Sequence, residues 1–292
     1  MKQPIELRKV RDFGQIINDS FTFFKENLKP LLKVLFIICG FFIVIGCIST
    51  ASTYLNMSSL YGGMDANRFD SAKPFAYVIN ALINAFITVF TQAFILLTTI
   101  CYISVYLEKN NTTPTLAEVW GYFRYYFFRV LGGSIVIFFM LMMGFLFCII
   151  PGIYLTPIAY LIIPIIVIEN SSFGYAFNKS FRLIKENWWV VFGVIFIMSL
   201  IISISGSIAS VPLTVIGMGG KFLSLKSFQL PLIIIFSILH NMIMLAYALP
   251  AIAICMCYFN LSEQKDGTGL LGRIDKIGKD NDDAPALPSE EY

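Results

Sequence analysis

The chain has 292 residues, of which 57% are hydrophobic and 13% charged, with a mean hydropathy of +0.76. Soluble domains carry about 25% charged residues, so this composition excludes an ordinary soluble domain and points to an all-α integral membrane protein. The net charge of +3, from 21 Lys and Arg against 18 Asp and Glu, follows the topology described below and gives no reason to invoke nucleic acid.

Residues 1–29 are polar and amphipathic and precede the first long apolar run. Within them Phe13, Ile16, Ile17, Ser20, Phe21, Phe24 and Leu28 keep helical spacing along one stripe, with Asn18, Asp19, Thr22, Lys25 and Glu26 opposite. This pattern predicts a helix lying at the membrane surface. The first span is expected at Pro30–Leu55, followed by a loop, Asn56–Lys73, rich in Ser, Gly and Asp. A second span, Phe75–Leu107, carries Asn80, Asn84, Thr88 and Gln92 at every fourth position, so these polar groups stay near one helix face.

At Thr113-Pro114-Thr115 a weaker surface helix begins. Thr115 and Glu118 have capping-box spacing, and the stripe runs through Leu116, Val119, Trp120, Phe123, Phe127 and Val130. The uncharged run Val130–Ile168 is too long for one crossing, since about 20 residues suffice. It divides at Pro151-Gly152 into spans at Arg129–Ile150 and Tyr154–Ile168.

The frame F-G-x-x-x-N-x-S-F-x-x-x-K-E-N, first seen from Phe13-Gly14 to Lys25-Glu26-Asn27, then recurs from Phe173-Gly174 to Lys185-Glu186-Asn187. Its apolar stripe is Phe173, Ala176, Phe177, Ser180, Phe181, Ile184 and Trp188; Asn178, Lys179, Arg182, Lys185 and Glu186 face away. Ser20 and Ser180 keep the two stripes narrow enough to press against a span. The fifth span, Trp188–Ile216, carries Ser203, Ser207 and Ser210 with Gly206, and the sixth, Leu230–Leu261, carries His240. Residues 263–292 are rich in Gly and Asp and read as a flexible cytosolic tail.

These elements define a cytoplasmic N-terminus at 1–29, a six-span membrane domain at 30–262 and the tail. The membrane domain divides into units of about 13–112, 113–170 and 171–262, each a surface helix followed by two spans. Two or three cytoplasmic amphipathic helices on the same side make the repeats parallel. With the N-terminus inside, all Lys and Arg except Arg68, Lys73, Lys221 and Lys226 are cytoplasmic. Cys39, Cys47, Cys101, Cys148, Cys255 and Cys257 all fall in spans and read as packing residues rather than disulfides.

The chemistry is sparse. His240 is the single histidine, no acid lies in a span to orient it, and neither a phosphate-binding loop nor an H-E-x-x-H motif is present. The expectation is a non-enzymatic protein without cofactor or metal. Asn80, Asn84, Thr88, Gln92, Ser203, Ser207 and His240 make up a candidate polar crevice for a headgroup or small solute. The same residues also suit hydrogen bonding between helices. Lys25, Lys29, Lys33, Lys179, Arg182 and Lys185 are candidate contacts for anionic lipid headgroups, and the cytoplasmic face offers room for a protein partner.

Ile150-Pro151-Gly152-Ile153-Tyr154-Leu155, then Pro164, Glu169 and Ala176 to Trp189 resemble a group of bacterial and archaeal membrane proteins. These include the membrane domain joined to some glycerophosphoryl diester phosphodiesterases and stand-alone six-helix relatives of undefined role. The similarity covers roughly Ile150–Val194. The phosphodiesterase activity of the fused enzymes resides in a separate barrel with a His-Arg-Gly signature that this chain lacks, so the resemblance implies a membrane module without that activity. Glu169 is expected to pair with Arg182 or to cap the helix at Ser171 or Ser172. The sequence thus favours an accessory or scaffold protein of the bacterial cytoplasmic membrane, with a lipid- or small-solute-handling permease as the alternative.

Overall fold

A computed structural model describes residues 5–62, 72–147, 149–219 and 228–267. Helices account for nearly all of them, and no strand occurs among the described residues. In chain order they are α1 (Phe13–Glu26), α2 (Leu28–Gly62), α3 (Ala72–Glu108), α4 (Leu116–Phe147), α5 (Ile149–Ile168), α6 (Phe173–Ile184), α7 (Trp188–Gly219), α8 (Gln229–Ile243) and α9 (Ala248–Asp266). Six helices are long and apolar enough to cross a bilayer, with α8 and α9 together forming the sixth, as expected of a multi-pass membrane protein. Even the shortest, α5 at 20 residues, reaches about 30 Å, the thickness of the hydrocarbon core.

Several boundaries differ from the sequence reading for local reasons. Within the apolar run Val130–Ile168, α4 ends at Phe147 and α5 starts at Ile149, so Pro151-Gly152 lies inside α5 and not between the two spans. Pro151 sits instead in the first turn of α5, where its missing N–H has no helical partner to lose. Gly152 matters for packing: a Cβ there would lie 2.5 Å from Cδ1 of Phe145, and one on Gly144 would lie 3.2 Å from Cα of Gly152. This glycine pair lets α4 and α5 cross closely.

Asn56–Gly62 continues α2 rather than opening the loop, and Lys73 falls within α3; residues 63–71 between them lie outside the described residues. The sixth span has a short 3-10 segment, Met244–Tyr247, between α8 and α9. Pro250 follows in the first turn of α9 and cannot donate to the carbonyl of Ala246, which favours the tighter winding. α9 extends to Asp266, so Glu263–Asp266 are helical. The rest of the expected tail beyond Gly267, Cys148, Lys221 and Lys226 are outside the described residues.

Three helices form the centre. α3, α5 and α9 pack against one another, burying the C-terminal parts of α3 and α5, Ile95 to Tyr106 and Ile158 to Val167, and most of α9, Ala248 to Leu261, in an almost unbroken core. α2, α4 and α7 lie outside them, each packed on the central helix that follows it in sequence. At one end of the bundle the two short helices close over the core. α1 lies chiefly on α9, and α6 on α5.

The inward faces of these helices share one register. α1 buries Ile16, Ser20 and Phe23 and continues to buried Asn27; α6 buries Ala176, Ser180 and Leu183. The first turns of α4 bury Val119, Phe123, Tyr126 and Val130 with the same spacing. Caps precede each face at equivalent positions. Asp12 accepts from the Gln15 N–H at 2.7 Å, Ser172 from that of Tyr175 at 3.5 Å, and Glu118 reaches back to the Thr115 N–H at 2.7 Å.

Candidate functional site

Two polar regions stand out, one within the spans and one at the end closed by α1 and α6. In the first, the row on α3 meets α2. Ser52 Oγ donates to Asn80 Oδ1 at 3.2 Å, and Asn84 Nδ2 donates to Ser49 Oγ at 3.3 Å and Thr50 Oγ1 at 3.0 Å. Thr88 Oγ1 donates to Asn84 Oδ1 at 3.5 Å, and Gln92 is half-buried one turn further along. From α8, Asn241 Nδ2 donates to the same Thr50 Oγ1 at 3.3 Å and to the Ser237 carbonyl at 2.9 Å. Thr50 therefore joins three helices. Gly46 makes room for Asn241, since a Cβ at Gly46 would lie 2.4 Å from its Oδ1.

The remaining members of the predicted crevice lie elsewhere. Ser203 and Ser207 are exposed on α7, and Ser207 Oγ donates to the Ser203 carbonyl at 2.8 Å within its own helix. His240 is on α8 beside Asn241, and its Nδ1, like Ser237 Oγ, is buried without a hydrogen-bond partner. Thr50, Ser237 and Asn241 were not singled out from sequence. Their signal was present as small and amide side chains in long apolar runs, the residue types that mediate contacts between membrane helices.

At the closed end, ion pairs link α5, α6 and α9. Lys179 Nζ lies 2.7 Å from Glu169 and 3.1 Å from Asp266, with its side chain only 9% exposed. Burial pulls the Lys179 pKa down, but the hydrogen-bonded carboxylates of Glu169 and Asp266 outweigh it and the net shift is upward. Glu169 also accepts from the Tyr258 hydroxyl. Its partners are thus Lys179 and Tyr258, whereas Arg182 pairs with Asp266 at 3.3 Å and Ser172 caps α6. Lys179 comes a turn before Arg182 on the helix and points more directly at the end of α5. A cavity of about 220 Å³ lies among Arg8, Glu169, Lys179, Tyr258 and Glu263.

Of the proposed headgroup cations, Lys25, Lys29, Lys33 and Lys185 are exposed, while Lys179 and Arg182 are drawn into the ion-pair cluster. Arg11 is the residue that charge counting alone passes over. Its guanidinium is buried, bonding Asp19 at 2.8 Å and the Leu7 carbonyl at 2.8 Å, while its backbone N–H donates to Asn260 Oδ1 at 2.8 Å. This arrangement pins residues before α1 onto α9, with Leu7 inserted in the core. Among the described residues no group of acids, thiols and imidazole has the makings of a metal site, and the five described cysteines are free.

Set against protein families, curated proteins and solved structures, the chain matches none of them.

Proposed function

We propose that this chain is a non-enzymatic six-span protein of the bacterial cytoplasmic membrane, both termini inside, that acts as an accessory or scaffold through its cytoplasmic face. The observation carrying this reading is the platform at the closed end of the bundle. Buried Ile16, Ser20 and Phe23 on one helix and Ala176, Ser180 and Leu183 on the other seat α1 and α6 against central helices. Asn18, Lys25 and Glu26, with Asn178, Arg182, Lys185 and Glu186, are left facing outward. The two helices act as amphipathic elements at the interface, and Lys25, Lys29, Lys33 and Lys185 attract anionic headgroups.

The same contacts support three parallel units about an axis along the membrane normal. In each, the inner face of the first helix packs on the last helix of the preceding unit: α1 on α9, α4 on α3 and α6 on α5. The chain is a stand-alone relative of the six-helix modules that accompany glycerophosphoryl diester phosphodiesterases, without that catalytic activity.

Deleting 263–292 or breaking α1 with Asn18→Pro, in full-length protein captured from its native membrane, should release a stoichiometric partner while the six spans persist. A partner set unchanged by both alterations refutes the scaffold. Fusion reporters at both ends test the orientation, and an external signal from either refutes it.

A second reading, a lipid- or small-solute-handling permease, is favoured by the unpartnered Ser237 Oγ and His240 Nδ1 inside the spans. Replacing Asn80, Asn84 and Gln92 by Leu should then abolish transport; retained transport in the folded variant removes this alternative.

A further inference from the structure

Where α3 ends and α4 begins, the two helices leave an open crevice of about 540 Å³, bordered by Glu108, Gly121, Tyr122, Tyr125, Tyr126 and Asn170. Nothing lies within 4 Å of the position a Gly121 Cβ would take, so the crevice is open along this side. Its charges are sorted by wall. Lys109 Nζ is held by both oxygens of Glu118, at 2.9 and 3.1 Å, which neutralises that pair.

Glu108 accepts from the Tyr122 hydroxyl, and among the described residues no ion pair joins a cation to it. Beside the crevice the exposed Arg129 guanidinium lies 5.6 Å from the ring centroid of Tyr125 and 5.9 Å from that of Tyr126, both of which line it. Its Nη1 donates to Asn170 Oδ1 at 2.9 Å, and four of its five N–H donors remain for a ligand. A carboxylate that lacks an ion-pair partner and sits beside tyrosine rings is suited to an ammonium group, and the guanidinium near it is suited to a phosphate.

We propose that this crevice binds the headgroup of a zwitterionic aminophospholipid, with its ammonium at Glu108 and the tyrosines and its phosphate at Arg129. The position favours a lipid over a soluble zwitterion. The crevice lies at the ends of two apolar spans, and Trp120 and Phe128 are exposed on the same helix, offering apolar surface to acyl chains. An anionic headgroup lacking the ammonium would leave Glu108 without a cation. The inference does not depend on the scaffold reading.

The test places the full chain in nanodiscs containing equal amounts of phosphatidylethanolamine and phosphatidylglycerol and counts retained lipids by native mass spectrometry. Phosphatidylethanolamine should be retained about tenfold over its anionic competitor, the value of one charge-assisted hydrogen bond. Glu108→Gln removes the charge, and Gly121→Leu fills the open side without touching it. Both should abolish the preference while leaving thermal unfolding close to wild type. No enrichment in the wild type, or undiminished enrichment in both folded variants, overturns the proposal. Displacement of the lipid by equimolar soluble phosphoethanolamine assigns the crevice to a free solute and overturns its lipid identity.

Discussion

Thr50→Val separates a packing role for the polar row from a solute path. Thr50 is buried, and its Oγ1 is the shared acceptor for Asn84 at 3.0 Å and Asn241 at 3.3 Å. Valine keeps the shape and removes the acceptor. Hydrogen bonds between membrane helices average about 0.6 kcal/mol and reach about 1.7. Neither amide is left bare, since Asn84 keeps Ser49 and Asn241 keeps the Ser237 carbonyl, so the expected destabilisation is about 1–2 kcal/mol. Asn84→Ala and Asn241→Ala should each cost about 0.6–1 kcal/mol, and each should cost less in the Thr50→Val background because its shared bond is already gone. Gly46→Ala tests the same junction sterically. Its Cβ would meet Asn241 Oδ1 at 2.4 Å, which should cost about 1–3 kcal/mol and be relieved by Asn241→Ala. The measurement is reversible unfolding in mixed micelles titrated with denaturing detergent and followed by circular dichroism. An unchanged midpoint for Thr50→Val, or a Gly46→Ala defect that Asn241→Ala fails to relieve, refutes the packing argument.

Three further results are expected from the same measurement. Asn27→Ala removes the acceptor of the buried Tyr102 hydroxyl, 3.0 Å away, and should cost about 1–3 kcal/mol; Tyr102→Phe should then add little, and full additivity would show that the two do not interact. Gly152→Ala drives a Cβ to 2.5 Å from Phe145 and should cost about 1–3 kcal/mol, restored in part by Phe145→Leu. Lys179→Met leaves Glu169 and Asp266 without their shared partner and should destabilise more than Arg182→Met, whose side chain is 61% exposed. Because the folded Lys179 pKa is raised, its stabilisation is complete below the unfolded lysine pKa, roughly 10.4, and fades as pH rises through the folded value. Unfolding midpoints between neutral and strongly alkaline pH should fall more steeply for wild type than for Lys179→Met, and parallel curves would contradict the assignment.

Length and hydropathy were enough to read six spans, because the bilayer imposes a minimum apolar length that the composition displays directly. The interior was harder to read. Lipid is as apolar as a protein core, so hydrophobic periodicity does not tell a lipid-facing side from a protein-facing one. Hence the stripe expected on the first helix held the fully buried Ile16 and Ser20 but took in Phe21 and Phe24 and left out Phe23, which is buried and packs edge-on against Tyr106 with ring centroids 5.2 Å apart. The centrality of α3, α5 and α9 was hidden for the same reason. Two of them bring small and hydroxyl-bearing side chains to the centre, Thr98, Thr99 and Ser104 on α3 and Ala248, Ala251, Ala253, Cys255 and Cys257 on α9, whereas α5 buries Ile158, Leu161, Ile162, Ile165 and Ile166. The small side chains permit close approach of helices.

The elbow after each surface helix shows how a single position alters the layout. Asn27 ends α1 by accepting from Tyr102 of α3 and donating through Nδ2 to the Phe23 carbonyl at 3.2 Å. At the matching place Asn187 donates to Gln264 of α9 at 3.1 Å. Each elbow is thus bonded to one central helix, while the inner face before it packs chiefly on another. Counting from the caps at Asp12, Ser172 and Thr115, the equivalent position on α4 is Val130, buried within a continuous helix. Valine offers no side-chain hydrogen bond to stabilise a break, and no proline or glycine follows until Gly132. The backbone therefore continues from Leu116 to Phe147 without interruption. The expected separate surface helix and third span are in this way fused into one element. The absence of an asparagine here also accounts for why the pattern starting at Thr115 was the hardest to recognise. Its cap and inward face keep the spacing seen in α1 and α6, but the residues that mark the turn after those two helices are absent.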